Sequence, residues 1–150
     1  MIYRERVTPS WTAYLAGALI VPAVLVVFLP INPGVGAILA LVAFAGFVVL
    51  MVNGSPVIEI DATTLRVGSA KVPLRYVGEA VAHPDRESAR QAAGPGLDAR
   101  AWTCLRGWAT TSVRVDIDDA NDPIPYWLFS SRDPEAVVAA LERARTKLKK

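Results

Sequence analysis

Arginine and tryptophan alternate in one short segment of the C-terminal half of the sequence. The four side chains between residues 100 and 108 lie even numbers of positions apart, and side chains two apart along a β-strand point to the same face. Arginine binds phosphate and carboxylate groups through paired hydrogen bonds, and tryptophan adds a stacking surface. Two later arginines can extend this face. The predicted binding residues are Arg100, Trp102, Arg106, Trp108, Arg114 and Arg132.

The same side chains also have a purely structural interpretation. The arginines can pair across strands with Asp98, Asp116 or Asp118, and the tryptophans can complete a small hydrophobic core. The choice depends on whether the face is exposed or buried. The sequence alone leaves both interpretations open, because neighbouring strands are set by tertiary structure.

The C-terminal end of the chain is basic. From residue 143 onward there are five positive charges and no acidic residue, and each such charge near an anionic leaflet contributes about 1 kcal/mol. This pattern predicts a tail that orients the domain on the membrane surface. The alternative is a solvated helix end that complements the helix dipole. The residues are Arg143, Arg145, Lys147, Lys149 and Lys150.

Residues that could support metal binding or catalysis are sparse. His83 and Cys104 are the single histidine and the single cysteine, so the spacing of a zinc site is absent. The acidic segment 116–122 lacks the glycine and terminal glutamate of a calcium loop and resembles a hairpin turn. Cys104 is expected to be a buried structural residue, and an approach of His83 across the sheet stays open. We predict no metal, no cofactor, no catalytic residue and no enzymatic activity.

A long N-terminal stretch carries no formal charge. Positions 7 to 58 contain no Asp, Glu, Lys or Arg, and a charge at a bilayer centre costs roughly 2.5–3.5 kcal/mol on insertion scales. Two apolar spans, 11–29 and 35–52, are each about 27–30 Å long as helices, the thickness of a hydrocarbon core. The segment 30–34, with two prolines and a glycine, turns the chain between them. We predict a transmembrane helical hairpin over residues 11–54.

Two alternatives for this stretch are a buried soluble hairpin and a cleaved signal peptide. A signal peptide has one apolar region followed by a small-residue cleavage site, which two spans around a turn do not match. The charge-free spans also argue against a pump or a transporter.

Pro22 is expected to kink the first span. Small residues such as Gly17 and Gly46 allow close packing within the hairpin or between copies of the chain.

The flanking charges predict the orientation of the hairpin. Arg4, Glu5 and Arg6 precede the first span, the turn is uncharged, and the remaining charged residues follow the second span. The positive-inside rule therefore places both termini in the cytoplasm. The expected localisation is a multi-pass protein of the plasma membrane, with residues 1–10 as a short cytoplasmic segment.

Residues 55–150 have the pattern of a small β domain with a closing helix. Seven short alternating segments, separated by turn residues, predict antiparallel strands. Residues 84–98 are polar and glycine-rich and predict a loop, with at most one helical turn near Glu87. Asp133 and Pro134 are favourable at a helix start, and an apolar stripe follows, which predicts a helix over 134–148. We expect an α+β membrane protein: the hairpin, then a pleckstrin-homology-like antiparallel β-barrel or sandwich capped by this helix.

Several segments resemble an uncharacterised actinobacterial family of two-span membrane proteins, a domain of unknown function. The resemblance covers nearly the whole chain and implies an actinobacterial source, without an activity. The architecture also looks like bacterial pleckstrin-homology membrane proteins. The segments that carry the family resemblance are 1–7, 9–11, 94–101, 106–108, 122–123, 125–128 and 130–132.

These features lead to two hypotheses about function. The first is a membrane-anchored, non-enzymatic interaction module that binds a partner protein or an anionic lipid headgroup at the cytoplasmic face. The second is an accessory subunit of a larger membrane complex, which it contacts through the hairpin. The expected partners are therefore the lipid bilayer and a protein or headgroup. A net charge of only +2 argues against nucleic acid, and homo-oligomerisation stays open.

Overall fold

The computed structural model describes residues 2–148 and divides the chain into two compact units. One unit is Thr8–Ser55. The other combines the residues up to Val7 with the chain from Pro56 onward. The second unit is therefore assembled from both sides of the first.

The unit Thr8–Ser55 is entirely helical apart from its turns. Its two apolar stretches, Trp11–Phe28 and Pro33–Asn53, are each long and apolar enough to cross a membrane. The first stretch is divided at Leu19. The helices are α1 (Trp11–Ala18), α2 (Ile20–Phe28) and α3 (Pro33–Asn53).

Proline explains the break in the first stretch. Pro22 has no N–H to donate to the carbonyl of Ala18, four residues earlier. The chain makes a tighter turn there, in which the N–H of Leu19 bonds the carbonyl of Ala16 at 3.2 Å. The helix is therefore interrupted at Leu19, three residues before the proline at which a kink is expected.

The turn between α2 and α3 is closed by a side-chain cap. The Asn32 carboxamide oxygen accepts hydrogen bonds from the N–H groups of Gly34 and Val35, at 3.0 and 3.2 Å. Pro33 follows as the first helical residue, where its missing N–H costs nothing. This local chemistry starts α3 without any tertiary partner.

Small residues let the helices of the hairpin approach closely. A Cβ added to Gly17 would lie 2.1 Å from the Phe47 ring, and one added to Gly36 would lie 2.7 Å from Phe28. Gly46 has no atom within 4 Å of an added Cβ. Gly17 and Gly36 are thus used for packing within the hairpin.

The described part of the other unit contains eight strands in two four-stranded sheets. The first sheet is antiparallel, in the order β1 (Tyr3–Arg6), β2 (Val57–Ile60), β3 (Thr64–Val67) and β4 (Ala70–Pro73). A 3₁₀ turn, Leu74–Tyr76, leads to the second sheet. Its order is β5 (Val77–His83), β7 (Ser112–Ile117), β8 (Tyr126–Ser130) and β6 (Trp102–Cys104). The helices are α4 (Arg86–Ala93) and α5 (Pro134–Leu148).

The structure corrects the sequence-based fold in three respects. Within the described residues the strands form two separate sheets and do not close into a barrel. β6 pairs with β8 in parallel, so the second sheet is mixed. The expected loop over 84–98 contains the eight-residue helix α4. The seven predicted strands and the helix over 134–148 are present at the predicted places.

Both sheets and α5 contribute to one hydrophobic core. Alternate residues of β2 and β7, such as Ile58, Ile60, Val113 and Val115, are fully buried. One stripe of α5 completes the core. Its buried residues are Val137, Ala140, Leu141 and Ala144.

The strand β1 lies before the helical unit and pairs with β2, which follows that unit. Its register runs from Tyr3 opposite Ile60 to Arg6 opposite Val57. The N–H of Val7 then bonds the carbonyl of Pro56 at 3.0 Å. The sequence-based division had placed residues 1–10 in a separate segment, whereas Tyr3–Arg6 forms an edge strand of the first sheet.

Candidate anion-binding site

Helix α4 covers the outer face of the second sheet. In β7 the residues Val113 and Val115 point into the core, so their neighbours Ser112 and Arg114 point to the other face. The helix begins at Asp85, whose carboxylate accepts a 2.8 Å hydrogen bond from the N–H of Ser88. That bond, with a second from the Ser88 hydroxyl, holds the pKa of Asp85 below its usual value.

A cavity of about 420 Å³ lies between one side of α4 and the segment leading into β7. We call it the arginine cleft. Three guanidinium groups and four hydroxyl groups line it, and no acidic residue does. The polar lining residues are Arg86, Arg90, Arg106, Thr110, Thr111, Ser112 and Ser130.

The three arginines reach the cleft from two opposite walls. Arg86 and Arg90 are four residues apart on α4 and so share one helix face. Both are exposed, and within residues 2–148 neither forms an ion pair. On the other wall, the backbone N–H of Arg106 bonds the Ser130 hydroxyl at 2.9 Å, and its guanidinium bonds the carbonyl of Leu105 at 3.0 Å.

The floor of the cleft contains a buried hydroxyl group without a partner. Ser112 is 2% exposed, and its Oγ makes no hydrogen bond in the structure. The neighbouring Thr111 hydroxyl, in contrast, donates to the carbonyl of Ser131. A buried unpaired hydroxyl is unfavourable for folding, so Ser112 is a candidate contact for a bound group.

A second cavity, of about 290 Å³, lies on the other side of α4. We call it the His83 pocket. His83 Nε2 is buried and has no hydrogen-bond partner. Burial, and next the positive charge of Arg114, lowers the pKa of His83. The pocket is lined by His83, Ser88, Gln91, Ala92, Gly96, Arg114, Tyr126 and Leu128.

The predicted alternating arginine–tryptophan face does not exist as one strand face. The strand β6 covers only Trp102–Cys104, so the alternation from residue 100 to 108 has no continuous strand to align it. Arg100 forms a 3.0 Å ion pair with Asp98, and this hydrogen-bonded pair raises the pKa of Arg100. Trp102 packs against the Trp127 ring with centroids 4.7 Å apart.

The remaining predicted binding residues lie in different environments. The Trp108 indole N–H donates to the carbonyl of Val7 at 3.0 Å, directly after the end of β1. Arg114 lies 4.0 Å from the centre of the Tyr126 ring and bonds Asp116 at 2.9 Å. The backbone N–H of Arg132 bonds the Glu5 carboxylate at 2.6 Å. Of the six residues, Arg106 alone lines the arginine cleft.

The basic tail is partly integrated into the domain. The Arg145 guanidinium donates to the carbonyl of Gly78 at 2.6 Å. Arg143 bonds the carbonyl of Ala139 on its own helix, and Lys147 is exposed. Lys149 and Lys150 lie outside the described residues. Arg145 thus docks α5 onto β5 and cannot act only as a solvated surface charge.

Cysteine–histidine chemistry is excluded by the sheet order. His83 is in β5 and Cys104 is in β6, at opposite edges of the second sheet, about 14 Å apart by strand spacing. Burial raises the pKa of the Cys104 thiol, which makes it a weaker nucleophile. Among residues 2–148 no group of three or more His, Cys, Asp or Glu side chains could hold a metal ion.

Sequence reasoning missed Arg86 and Arg90 because it placed them in a loop. The available signal was local: Asp85 with Ser88 three residues later is a helix start, and the arginines have helical spacing. Because α4 has no apolar stripe, hydrophobic periodicity did not indicate a helix there.

These observations define a mixed α+β protein with two membrane-length apolar helices and an arginine-lined cleft on its second sheet. The family described as "Protein of unknown function (DUF3093)" matches residues 2–141. The chain therefore belongs to this family. Comparisons with curated proteins and with solved structures found no match.

Proposed function

We propose that the protein is a membrane-anchored, non-enzymatic module that binds an anionic group in the arginine cleft. The observation that carries the proposal is the cleft itself. Three arginines and four hydroxyl-bearing residues line one concave space, and none of its lining residues is acidic. Guanidinium and hydroxyl groups are the donors by which proteins bind phosphate and carboxylate groups.

The exposed apolar surface of the helical unit supports membrane anchoring. Large side chains such as Leu41 and Leu50 are 69% and 70% exposed, and only 6% and 11% of the two apolar windows are buried. The core helix of a soluble protein would be mostly buried. A contiguous apolar surface of this extent is unfavourable in water and favourable in lipid.

The pairing of β1 with β2 supports a topology with both ends on one side of the membrane. Val7 and Pro56, at the two ends of the helical unit, are hydrogen-bonded to each other. A chain that leaves and re-enters one folded domain at neighbouring points crosses the membrane an even number of times. The uncharged turn at residues 30–34 and the flanking arginines favour the cytoplasm for the domain.

The shape of the cleft favours a small anionic group over a protein surface. Protein interfaces are broad and bury about 800 Å² on each partner, whereas a cavity of about 420 Å³ has the size of a small-molecule site. A lipid headgroup or a soluble phosphate therefore fits better than a partner protein. The pleckstrin-homology-like identity and the actinobacterial source stay expectations, and the parallel strand β6 departs from the expected antiparallel pattern.

The accessory-subunit hypothesis draws less support from the hairpin. Gly17 and Gly36 already accommodate Phe47 and Phe28 within it. Gly46, by contrast, has open space beside it, which leaves room for contact with another helix.

The experiment is a calorimetric titration of the full chain, in nanodiscs of neutral phosphatidylcholine, with inorganic phosphate. We expect saturable binding that is lost in the double variant Arg86→Gln/Arg90→Gln. The matched control is Lys71→Gln, an exposed charge on β4 outside the cleft. Absence of binding, or equal weakening by the control, would refute the arginine cleft as the site.

A further inference from the structure

Two buried polar atoms without partners are neighbours on the sheet face beneath α4. His83 and Ser112 are directly opposite in the β5–β7 register, and side chains of opposite residues lie about 5 Å apart on the same face. Neither His83 Nε2 nor Ser112 Oγ makes a hydrogen bond. Native proteins pair nearly all such buried groups, so a juxtaposed pair points to a missing partner.

The two atoms belong to the two cavities that flank α4. Ser112 lines the arginine cleft, and His83 lines the pocket on the opposite side of the helix. Each cavity therefore includes one residue of the His83–Ser112 pair.

The arginine cleft and the His83 pocket differ in the chemical groups that line them. The arginine cleft has three positive groups and hydroxyl donors, which suit a phosphate. The His83 pocket has an uncharged imidazole, whose lowered pKa keeps it neutral at pH 7. Its other walls include the Tyr126 ring and Leu128. Arg114 lies beside His83 and disfavours a cationic group there. This side suits a hydroxyl group on a short carbon chain.

We infer that the face beneath α4 binds a phosphorylated polyol, with the phosphate on Arg86, Arg90, Arg106 and Ser112 and a hydroxyl group on His83. The inference rests on the proposed function, since it specifies the ligand of the same site. A glycerol phosphate has this chemistry both as a soluble compound and as part of a lipid headgroup.

The experiment compares two probes by calorimetry on the full chain in phosphatidylcholine nanodiscs. Glycerol 3-phosphate should bind at least about fivefold more tightly than inorganic phosphate, the effect of one additional hydrogen bond. His83→Phe should remove this difference, so that glycerol 3-phosphate binds no more tightly than inorganic phosphate. Ser112→Ala should weaken both probes by about fivefold, whereas the control Ser69→Ala, in an exposed turn, should change neither.

The stability of the variants separates binding from folding. Ser112 Oγ has no partner to lose, so Ser112→Ala should not lower the Tm of the ligand-free protein. A lowered Tm in this variant would show that the hydroxyl is a structural group and would overturn the inference.

A second arm identifies the source of the ligand. Nanodiscs that contain phosphatidylglycerol should compete with glycerol 3-phosphate if the natural ligand is a headgroup. Unchanged binding of glycerol 3-phosphate in those nanodiscs indicates a soluble polyol phosphate. Both results support the inferred chemistry.

Failure of this inference is distinguishable from failure of the proposed function. Equal affinity for both probes, or an unchanged preference in His83→Phe, would overturn the polyol inference. If the binding of inorganic phosphate still depended on Arg86 and Arg90, the proposed anion-binding function would be supported without the polyol inference. Absence of binding of either probe would overturn both.

Discussion

Glu5 shows how a single residue connects distant parts of the chain. Its carboxylate accepts hydrogen bonds from the Ser131 hydroxyl at 2.7 Å, from the Arg132 N–H at 2.6 Å, and from the Tyr3 hydroxyl at 3.0 Å. Burial and the adjacent Glu5 charge raise the pKa of Tyr3. The start of the chain is thereby joined to the segment between β8 and α5.

Replacement of Glu5 tests this connection. Glu5→Ala leaves the fully buried Ser131 hydroxyl without its carboxylate partner, and we expect a loss of about 2 kcal/mol in the free energy of unfolding. The measurement is denaturant unfolding of the full chain in detergent. Glu79→Ala, at an exposed position of β5, is the control and should cost less than about 0.5 kcal/mol. Equal effects of the two variants would contradict this role of Glu5.

His83 predicts how stability depends on pH. Its folded-state pKa lies below the usual 6.5, because burial and Arg114 disfavour the cation, while Asp85 acts weakly in the opposite direction. The unfolded chain therefore takes up a proton first as the pH falls. The contribution of neutral His83 to the free energy of unfolding is fully present above pH 6.5. It decreases as the pH falls from 6.5 toward the lower pKa of His83 in the folded state.

The pH prediction is checked by the Tm of the full chain at pH 7.5 and pH 5.5. The Tm of the wild type should be lower at pH 5.5 than at pH 7.5. His83→Phe should show a smaller difference, because the titrating group is gone. An unchanged pH dependence in this variant would assign the effect to other groups.

Among the secondary-structure elements, β1 and α4 depend most on contacts with distant parts of the chain. β1 covers one edge of β2, and its formation requires residues separated by the whole helical unit. α4 has eight residues and no buried side chain, so it is held by its Asp85 cap and by the contacts that line the two cavities. Short helices of this kind are marginal in isolation.

The role of β1 can be tested by removing the helical unit. Because Val7 and Pro56 are hydrogen-bonded, an Asn-Gly turn can replace residues 8–55 and continue the ladder as a β-hairpin. We expect this variant to be water-soluble and to unfold cooperatively by circular dichroism. A fragment that begins at Pro56 lacks β1 and the Glu5 hydrogen bonds, and should be clearly less stable. Equal stability of the two would show that β1 is dispensable.

At the scale of the whole molecule, the helical unit is an insertion in the sheet domain. The domain is continuous in space but not in sequence, since its first strand precedes Thr8 and the rest follows Ser55. A membrane hairpin inserted in this way must begin and end on the side where the domain folds. The proposed topology therefore depends on strand pairing as well as on flanking charge.

Cysteine labelling in intact cells checks this topology. In a Cys104→Ser background, a cysteine at the exposed turn position, Ile31→Cys, should react with an impermeant maleimide from outside. Ser69→Cys, in an exposed turn of the domain, should react only after lysis. Labelling of Ser69→Cys in intact cells would reverse the orientation, and labelling of neither would contradict the transmembrane hairpin.

Elements with local signals can be predicted from the sequence alone. A charge-free apolar run specifies α1 to α3, a proline explains the break at Leu19, and alternation specifies strands such as β2 and β7. The start of α5 at Pro134 follows from its capping residues. Each depends on neighbours within a few residues, so periodicity and capping chemistry reveal it.

Three features depend on tertiary contacts: β1, the parallel pairing of β6, and the site beneath α4. The sequence Tyr-Arg-Glu-Arg of β1 has no apolar alternation, because its inward side includes Glu5, whose partner Ser131 is 126 residues away. The arginine cleft likewise joins Arg86, Arg106 and Ser112 from three segments. Such contacts arise from strand register and helix placement, which sequence spacing does not encode. Every arginine side chain has the same chemistry, and the fold determines which arginines lie together in the cleft.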